Sequence, residues 1–189
     1  MAELIENTDM PGLDERILDS QRAYEGSFLS IDRVRIELPN GHETVHEVVR
    51  HPGAVGIVAL NDDGEILLVR QYRTALERVT LEIPAGKMNP GEDPLACAQR
   101  ELSEETGYTA GAMRYLVPVA VAAGYSDELI HLYMATQLTG GQAHPDADEF
   151  VVSEWVPLQQ LVDSVLDQRI EDSKTIIAAL VCDAIAHRL

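Results

Sequence analysis

Three glutamates in a five-residue stretch are the part of this sequence that could do chemistry. Glu101, Glu104 and Glu105 fall in a segment predicted to be helical, and at about 100° per residue they lie within an arc of roughly 100°. Like charges at these spacings cost a helix roughly 0.2–0.5 kcal/mol a pair. Carboxylate oxygens are also the ligands that Mg²⁺ prefers. The spacing therefore fits either a solvated acidic face, the commoner use of such a cluster, or a divalent-metal site.

The helix that carries the glutamates has clear ends in the sequence. Asp93 and Pro94 are typical of an N-cap and a first helical residue, and Gly107 is typical of the residue after the last turn. A loop that begins at Gly86 precedes the helix. Free N–H groups of the helix start and a backbone carbonyl of this loop could complete a site for an ion and a pyrophosphate.

Runs of strand-forming residues lie on both sides of this helix. Three early runs predict a small antiparallel sheet: residues 17–24, 29–38 and 43–50. The main sheet is predicted from residues 54–60, 65–73, 79–84, 112–121, 129–138 and 150–156. The turn at residues 61–64 is predicted to join the first two of these as a hairpin. Two further helices are predicted, from Pro157 and from about Ser173 to Leu189. This order is typical of an α+β fold or a mixed α/β sandwich.

Composition limits the partners of the protein. The chain of 189 residues carries 32 acidic and 14 basic residues, a net charge of −18, which repels nucleic acids. A phosphate-containing ligand would then need metal ions and a few placed arginines. Cys97 and Cys182 lack CxxC spacing, no apolar stretch approaches the ~20 residues of a membrane span, and the first residues do not resemble a signal peptide. We expect a cytoplasmic protein with free thiols and without nucleic-acid or membrane partners.

The spacing of glycines and charged residues around the predicted helix resembles the Nudix box. The pattern is Gly86, five residues, Glu92, seven residues, Arg100-Glu101-Leu102, one residue, Glu104-Glu105, one residue, Gly107. The position after it, usually aliphatic, is Tyr108. The chain thus resembles the Nudix hydrolase superfamily, and the resemblance implies an α/β/α sandwich with a mixed sheet.

The resemblance also implies roles for the residues of the box. Arg100 would orient the glutamates and Glu92 would support the helix. Roughly two or three Mg²⁺ ions, with Mn²⁺ as a substitute, would bind a diphosphate and activate water. The implied metal ligands are the carboxylates of Glu101, Glu104 and Glu105 and the carbonyl of Ala85.

Two further segments resemble the ADP-ribose pyrophosphatase branch of the superfamily: LEIPAGK at residues 81–87 and GYSDE at residues 124–128. This branch has a small β-subdomain before the Nudix domain and forms a homodimer in which both chains contribute to each active site. The resemblance therefore divides the chain into a flexible tail (1–16), an N-terminal β-subdomain for dimerisation (17–50) and a Nudix hydrolase domain (51–189).

The same resemblance indicates substrate-binding residues. Arg50 and Arg73 would contact the diphosphate or ribose, although both also read as ordinary surface cations at strand ends. Further candidates are Gly86, Tyr125 and Asp127. Glu149, in the acidic loop before the last predicted strand, would be the general base, and the alternatives are a solvated turn or a role for Asp146 or Asp148 instead.

The function implied is hydrolysis of ADP-ribose to AMP and ribose 5-phosphate. Other substrates stay open: another sugar nucleotide, a dinucleotide or an oxidised nucleoside triphosphate. Tyr125 is similar to a tyrosine of dinucleoside-polyphosphate hydrolases. A non-enzymatic alternative is a nucleotide-sensing module, since Nudix folds also serve in recognition. The complete set of box glutamates favours catalysis.

Overall fold

The computed structural model describes residues 12–144 and 149–187. Three helices lie in this part of the chain: α1 (Pro94–Thr106), α2 (Leu158–Leu166) and α3 (Ser173–Ala186). The strands there are β1 (Arg16–Glu25), β2 (Ser30–Glu37), β3 (Glu43–Arg50), β4 (Ala54–Ala59), β5 (Glu65–Arg73), β6 (Arg78–Glu82), β7 (Ala85–Lys87), β8 (Thr109–Ala120), β9 (Leu129–Thr139) and β10 (Val151–Pro157).

The strands form three sheets. β1, β2 and β3 make an antiparallel sheet in chain order, which confirms the small N-terminal sheet that the sequence predicts. A four-stranded sheet has the order β7-β4-β9-β8 and is mixed, because β4 and β9 run parallel while the other pairs are antiparallel. The third sheet has the order β10-β5-β6 and is antiparallel.

The described chain divides into two compact units. The smaller contains the residues up to His51 together with Ala122–Glu128, and the larger contains the rest. The segment Ala122–Glu128 joins the smaller unit through β3: the N–H of Val49 donates to the carbonyl of Tyr125 over 2.8 Å, and the N–H of Asp127 donates to the carbonyl of Val49 over 3.2 Å. Sequence patterns gave no sign of this return of the chain.

Two apolar cores lie on opposite faces of β4. Val55, Ile57 and Ala59 pack with α1, whereas Ala54 and Val58 pack with α2 and α3. Successive side chains of a strand point to opposite faces, so a strand whose six residues are all buried needs a helical layer on each side. The larger unit is therefore the mixed α/β/α sandwich that the sequence predicts.

Two expectations about the larger unit are corrected by the structure. The turn after β4 forms, with the N–H of Asn61 donating to the carbonyl of Glu65 over 3.0 Å, but β4 and β5 enter different sheets after the single bridge between Leu60 and Ile66. All of β4 and residues 66–69 of β5 are apolar and buried on both faces, so each strand pairs within a covered sheet rather than as a hairpin. The expected loop at Gly86 begins with the short strand β7, which pairs with β4.

Helix α1 begins and ends for the predicted reasons, and α3 has an N-cap that was not predicted. The Asp93 carboxylate accepts a hydrogen bond from the N–H of Ala96 over 3.0 Å, and Gly107 ends α1 with a left-handed φ of 75°. Asp172 caps α3 in the same way, accepting from the N–H of Thr175 over 2.9 Å. In the described ranges, no helix combines the length and apolar character needed to cross a bilayer.

Candidate active site

The face of α1 that packs on the sheet carries two of the three glutamates. Glu101 and Glu105 are 8% and 5% exposed and share this face with the apolar Cys97, Ala98 and Leu102. Glu104 lies at the rim and is half-buried. Packing of the apolar residues thus forces two carboxylates out of bulk water, which contradicts the reading of the cluster as a solvated acidic face.

Arg100 holds the acidic residues of this site together. Its Nε and Nη2 donate to the two oxygens of Glu92 over 2.9 and 3.0 Å. Its Nη1 donates to Glu101 and to Glu104, each over 2.8 Å. The hydrogen bonds from Arg100 and from the N–H of Asn89 lower the pKa of Glu92 to about 2. The guanidinium therefore fixes three carboxylates at once, as its planar fork allows.

Gly86 lies directly against the carboxylate of Glu101. A Cβ atom built at Gly86 would stand 1.9 Å from Cδ of Glu101 and 2.1 Å from its Oε1. Only a glycine at this position allows β7 and the buried carboxylate to approach so closely. The next residue back, Ala85, donates its N–H to Glu105 over 3.2 Å.

Electrostatics at Glu105 differ from those of an ordinary surface carboxylate. Burial, followed by the charge of Glu101, raises the pKa of Glu105 to about 8 against the opposing hydrogen bond from Ala85. Burial also raises the pKa of Glu101, although Arg100 opposes that rise. The two carboxylates are thus held close together with less positive charge than they need to ionise easily.

Arg73 stands beside this pair and is itself held by a buried carboxylate. Its Nε and Nη2 donate to the two oxygens of Glu82 over 2.7 and 2.6 Å. Glu82 is 2% exposed and also binds the ammonium group of Lys174. Burial raises the pKa of Glu82, but the bonds from Arg73 and the charge of Lys174 outweigh it and lower that pKa to about 2.

Glu149 approaches the site from the loop after β9. Its charge contributes to the raised pKa of Glu101 and of Glu105, behind burial as the main cause. The start of this loop lies along the end of α1, where the N–H of His144 donates to the carbonyl of Glu104 over 2.9 Å. The alternative bases Asp146 and Asp148 lie outside the described residues.

The remaining predicted substrate-binding residues belong to the smaller unit. There, the guanidinium of Arg50 donates to Asp32 over 3.0 Å and to Asp127 over 3.1 Å. Asp127 also accepts the N–H of His51 over 2.9 Å. The side chain of Tyr125 is exposed. Within its unit, Asp127 thus orients Arg50, a contact that the sequence did not predict.

The donor chemistry of α1 fits a hard divalent cation. Side-chain conformations in the described part of the chain do not converge three Asp, Glu, His or Cys groups into a preset metal cage, because Arg100 engages both Glu101 and Glu104. Glu101 and Glu105 nevertheless present oxygen donors whose ionisation is disfavoured by burial and by the charges of neighbouring carboxylates. A bound cation removes that penalty, so these residues, with Glu104, would hold Mg²⁺.

Residues 50–180 match the family model of the NUDIX domain, a span that includes α1 and every residue of the two cores except Cys182. The chain belongs to the Nudix family. A relative from Bacillus subtilis, named ADP-ribose pyrophosphatase, is 37% identical over 89% of this chain and 92% of its own length. A relative from Bacillus methanolicus, named methanol dehydrogenase activator, is 41% identical over 87% of this chain and 90% of its own length.

A solved structure shows the same fold. The crystal structure of an ADP compounds hydrolase superposes with a TM-score of 0.79 over 90% of this chain and 93% of its own, at 23% identity. At that identity the match concerns the Nudix fold and not the substrate.

The one departure from the Nudix box has a structural explanation. Tyr108 takes the usual aliphatic position, and its ring packs edge to face on Trp155 with 5.4 Å between ring centroids. Its hydroxyl accepts the indole N–H of Trp155 over 3.3 Å. The aromatic residue thus connects the end of α1 to β10 and stays within the apolar core.

Sequence reasoning missed Asp32 and Glu82, which hold the predicted arginines, and Lys174, which binds Glu82. Only Lys174 left a signal. A lysine in the first turn of a helix opposes the helix dipole, so a lysine two residues after the N-cap Asp172 calls for a nearby carboxylate. Glu82 stood in the segment that carried the family resemblance, but nothing in its spacing predicted a buried ion pair.

Proposed function

We propose that this Nudix protein is a divalent-metal-dependent pyrophosphohydrolase that converts ADP-ribose and water to AMP and ribose 5-phosphate. The observation that carries the proposal is the buried pair Glu101 and Glu105, fixed by Arg100 and by the backbone of β7. Two carboxylates kept out of water against their electrostatic preference are typical of a working site. The name of the Bacillus subtilis relative supports ADP-ribose as the substrate.

The chain's own residues supply binding, orientation and a base. Glu101, Glu104, Glu105 and the carbonyl of Ala85 would hold Mg²⁺, or Mn²⁺ in its place. When bound, the metal would neutralise charge on the diphosphate and lower the pKa of water. Arg100 keeps the carboxylates in one arrangement, and Glu149 would accept the proton of the attacking water.

Substrate recognition would use arginines because the protein as a whole repels anions. Arg73 would contact the diphosphate in the larger unit. Arg50, oriented by Asp127, would contact the diphosphate or the ribose, and Tyr125 offers an exposed ring. Gly86 would contribute to the site by admitting the Glu101 carboxylate against the backbone of β7.

A homodimer in the cytoplasm completes the proposal. β1 is an edge strand of its sheet, and edge strands that display apolar side chains favour association. Ile17, Val34, Ile36 and Val48 help to line a hollow of about 290 Å³ on the smaller unit. The family resemblance gives this subdomain the role of the dimer contact.

A hydrolysis screen with identified products tests the proposal. Substrates would be ADP-ribose, sugar nucleotides, NADH, FAD, diadenosine polyphosphates and oxidised dNTPs, each with Mg²⁺ or Mn²⁺. We expect ADP-ribose to give AMP and ribose 5-phosphate with the highest kcat/KM. Glu101→Gln and Glu105→Gln should each lower turnover at least roughly a hundredfold without loss of the fold.

The sensing alternative predicts a different outcome of the same screen. A sensor would bind a nucleotide and release no product after hours with Mg²⁺. Near-wild-type activity in both glutamine variants would overturn the assignment of the site. Hydrolysis of a different nucleoside diphosphate derivative would overturn only the choice of ADP-ribose.

A further inference from the structure

Lys174 is a buried cation for which the proposed mechanism has no use. It is one of two lysines in the chain, and it is 6% exposed at the start of α3. Its ammonium group binds Oε2 of Glu82 and also donates to Oδ1 of Asp172 over 2.9 Å. Burying an ammonium group costs free energy that its ion pairs need not recover in full. Lys174 therefore calls for a role other than stabilising the fold.

Glu82 shares one oxygen between two cations. Oε2 accepts from Nη2 of Arg73 and from Lys174, while Oε1 accepts from Nε of Arg73 and from the hydroxyl of Thr80 over 2.5 Å. The carboxylate therefore grips one edge of the Arg73 guanidinium. Among the described residues Nη1 of Arg73 has no hydrogen-bond partner, so the opposite edge stays available to an anion.

The charges of this cluster balance. Arg73 and Lys174 are positive, and Glu82 and Asp172 are negative. Asp172 is further stabilised by the N–H and the hydroxyl of Thr175, over 2.9 and 2.5 Å. Without Lys174 the cluster would carry one net negative charge next to Glu105, with which Arg73 interacts electrostatically. A diphosphate would then meet a more negative surface.

We propose that Lys174 is a positioning residue for substrate binding: by sharing the charge of Glu82, it keeps Arg73 both oriented and electrostatically available to a diphosphate. The inference rests on the proposed function, since it assumes a diphosphate substrate. It assigns to the start of α3, remote from the Nudix box in sequence, a part in substrate affinity.

The backbone beside Glu82 is held by the same turn of α3. The N–H of Ile83 donates to the hydroxyl of Thr175 over 2.9 Å, and both residues are fully buried. Two residues further on, Ala85 donates to Glu105. The turn Asp172–Thr175 therefore fixes the backbone that leads from β6 to the carboxylate pair. Lys174, in the same turn, supplies a positive charge to Glu82 at the end of β6.

Substitution of Lys174 by methionine tests the inference, because methionine keeps the length of the chain and removes the charge. We expect KM for ADP-ribose to rise on the order of tenfold while kcat stays within about twofold, the effect of losing one charged hydrogen bond. The Kd for ADP-ribose in EDTA, measured by calorimetry, should rise by the same factor. This binding readout does not depend on turnover.

Two further variants separate positioning from simple destabilisation. Glu82→Gln combined with Lys174→Met removes one charge of each sign and should recover part of the lost affinity, because it restores the charge balance but keeps one acceptor for Arg73, whereas a structural role predicts a double variant no better than Lys174→Met. Arg78→Met is the matched control. It removes a cation that joins β6 to Glu171, beside the same turn but in solvent, and should leave KM within about twofold.

Several results would overturn the inference. They are an unchanged KM in folded Lys174→Met, a loss confined to kcat, or no recovery in the double variant. Wild-type protein that neither binds nor hydrolyses ADP-ribose would defeat the proposed function instead. The Kd for inorganic pyrophosphate would then decide: a roughly tenfold rise in Lys174→Met supports the role of Lys174, and an unchanged value overturns it.

Discussion

The protonation state of Glu105 that favours folding differs from the one that metal binding requires. An ionised carboxylate is needed to hold a cation, yet burial against the sheet favours the protonated form. Ala85 supplies one hydrogen bond and Arg73 an attractive charge, which together do not offset burial. When Glu105 is ionised, the metal-free protein therefore carries an unfavourable free energy of burial, which a bound cation would remove.

The free-energy cost of ionising buried Glu105 predicts a pH dependence of stability. Burial raises the pKa of Glu105 from 4.5 to about 8, so between these values the folded, metal-free protein binds one proton more than the unfolded chain. Its contribution to the free energy of unfolding should fall by up to about 1.4 kcal/mol per pH unit as pH rises through this window. Below this pH window the folded and unfolded states bind the same number of protons at Glu105.

Urea unfolding in EDTA at a series of pH values measures this contribution as wild type minus Glu105→Gln. Residue 105 cannot titrate in the variant, whereas the other groups titrate in both proteins. The difference therefore contains the contribution of Glu105, and those of the other groups cancel. A difference that stays flat between pH 5 and pH 8 would show that the carboxylate is solvated in the folded state.

Gly86→Ala should disrupt the site more than the fold. The added methyl group would occupy the place of the Glu101 carboxylate, so that side chain must leave Arg100 or β7 must separate from α1. We expect turnover to fall at least roughly tenfold, and stability to fall by about 1–3 kcal/mol as for an overpacked core. Steady-state kinetics and thermal melting measure the two effects.

Gly140→Ala is the matched control, because its methyl group would meet only Tyr108 at an ordinary 3.4 Å. It should change neither quantity by much. Wild-type turnover in Gly86→Ala would mean that the Glu101 carboxylate does not need its present position.

At the scale of single elements, local signals in the sequence located α1 and the ends of most strands. Asp93, Pro94 and Gly107 determine the ends of α1 through capping, which depends on adjacent residues only. The placement of β4 and β5 in different sheets depends instead on which strands pair with each of them. Those partner strands are distant in the sequence. The short strand β7 escaped prediction because Gly86 reads as a turn residue in isolation.

The link between α3 and β6 predicts a stability effect at Thr175. Thr175→Val keeps the shape of the side chain but leaves the buried N–H of Ile83 without its acceptor. The free energy of unfolding should fall by about 1–3 kcal/mol, the usual cost of a buried unsatisfied group. Chemical denaturation measures it.

Thr175→Ser retains the hydroxyl and loses only a methyl group, so it should be clearly more stable than Thr175→Val. Equal loss in the two variants would mean that packing, and not the hydrogen bond, makes this contact important.

At the scale of the whole molecule, the sequence predicted the class of fold better than the distribution of the site residues. The Nudix box and the strand order were sufficient for a mixed sandwich with a preceding sheet. They did not predict that Ala122–Glu128 returns to the smaller unit, and so placed Tyr125 and Asp127 in the larger domain. A long-range return of the chain leaves no local pattern from which to infer it.

The proposed dimer gives a prediction at this scale. Light scattering coupled to size exclusion should give a mass of twice the 20.8 kDa of one chain. The edge strand β1 and the apolar hollow of the smaller unit are the expected contact. Replacement of Ile17 by lysine, a residue that protects sheet edges, should shift the protein toward the monomer. A monomeric wild type at micromolar concentration would refute the contact.

The two cores described above each contain one thiol. Cys97 is a buried residue of α1 and Cys182 is a buried residue of α3, and burial raises their pKa values to about 12 and about 11. A disulfide reagent in solution can react with either only when that layer opens. Each single-cysteine version of the protein would thus report how often one helical layer separates from the sheet, and whether nucleotide slows the two openings equally.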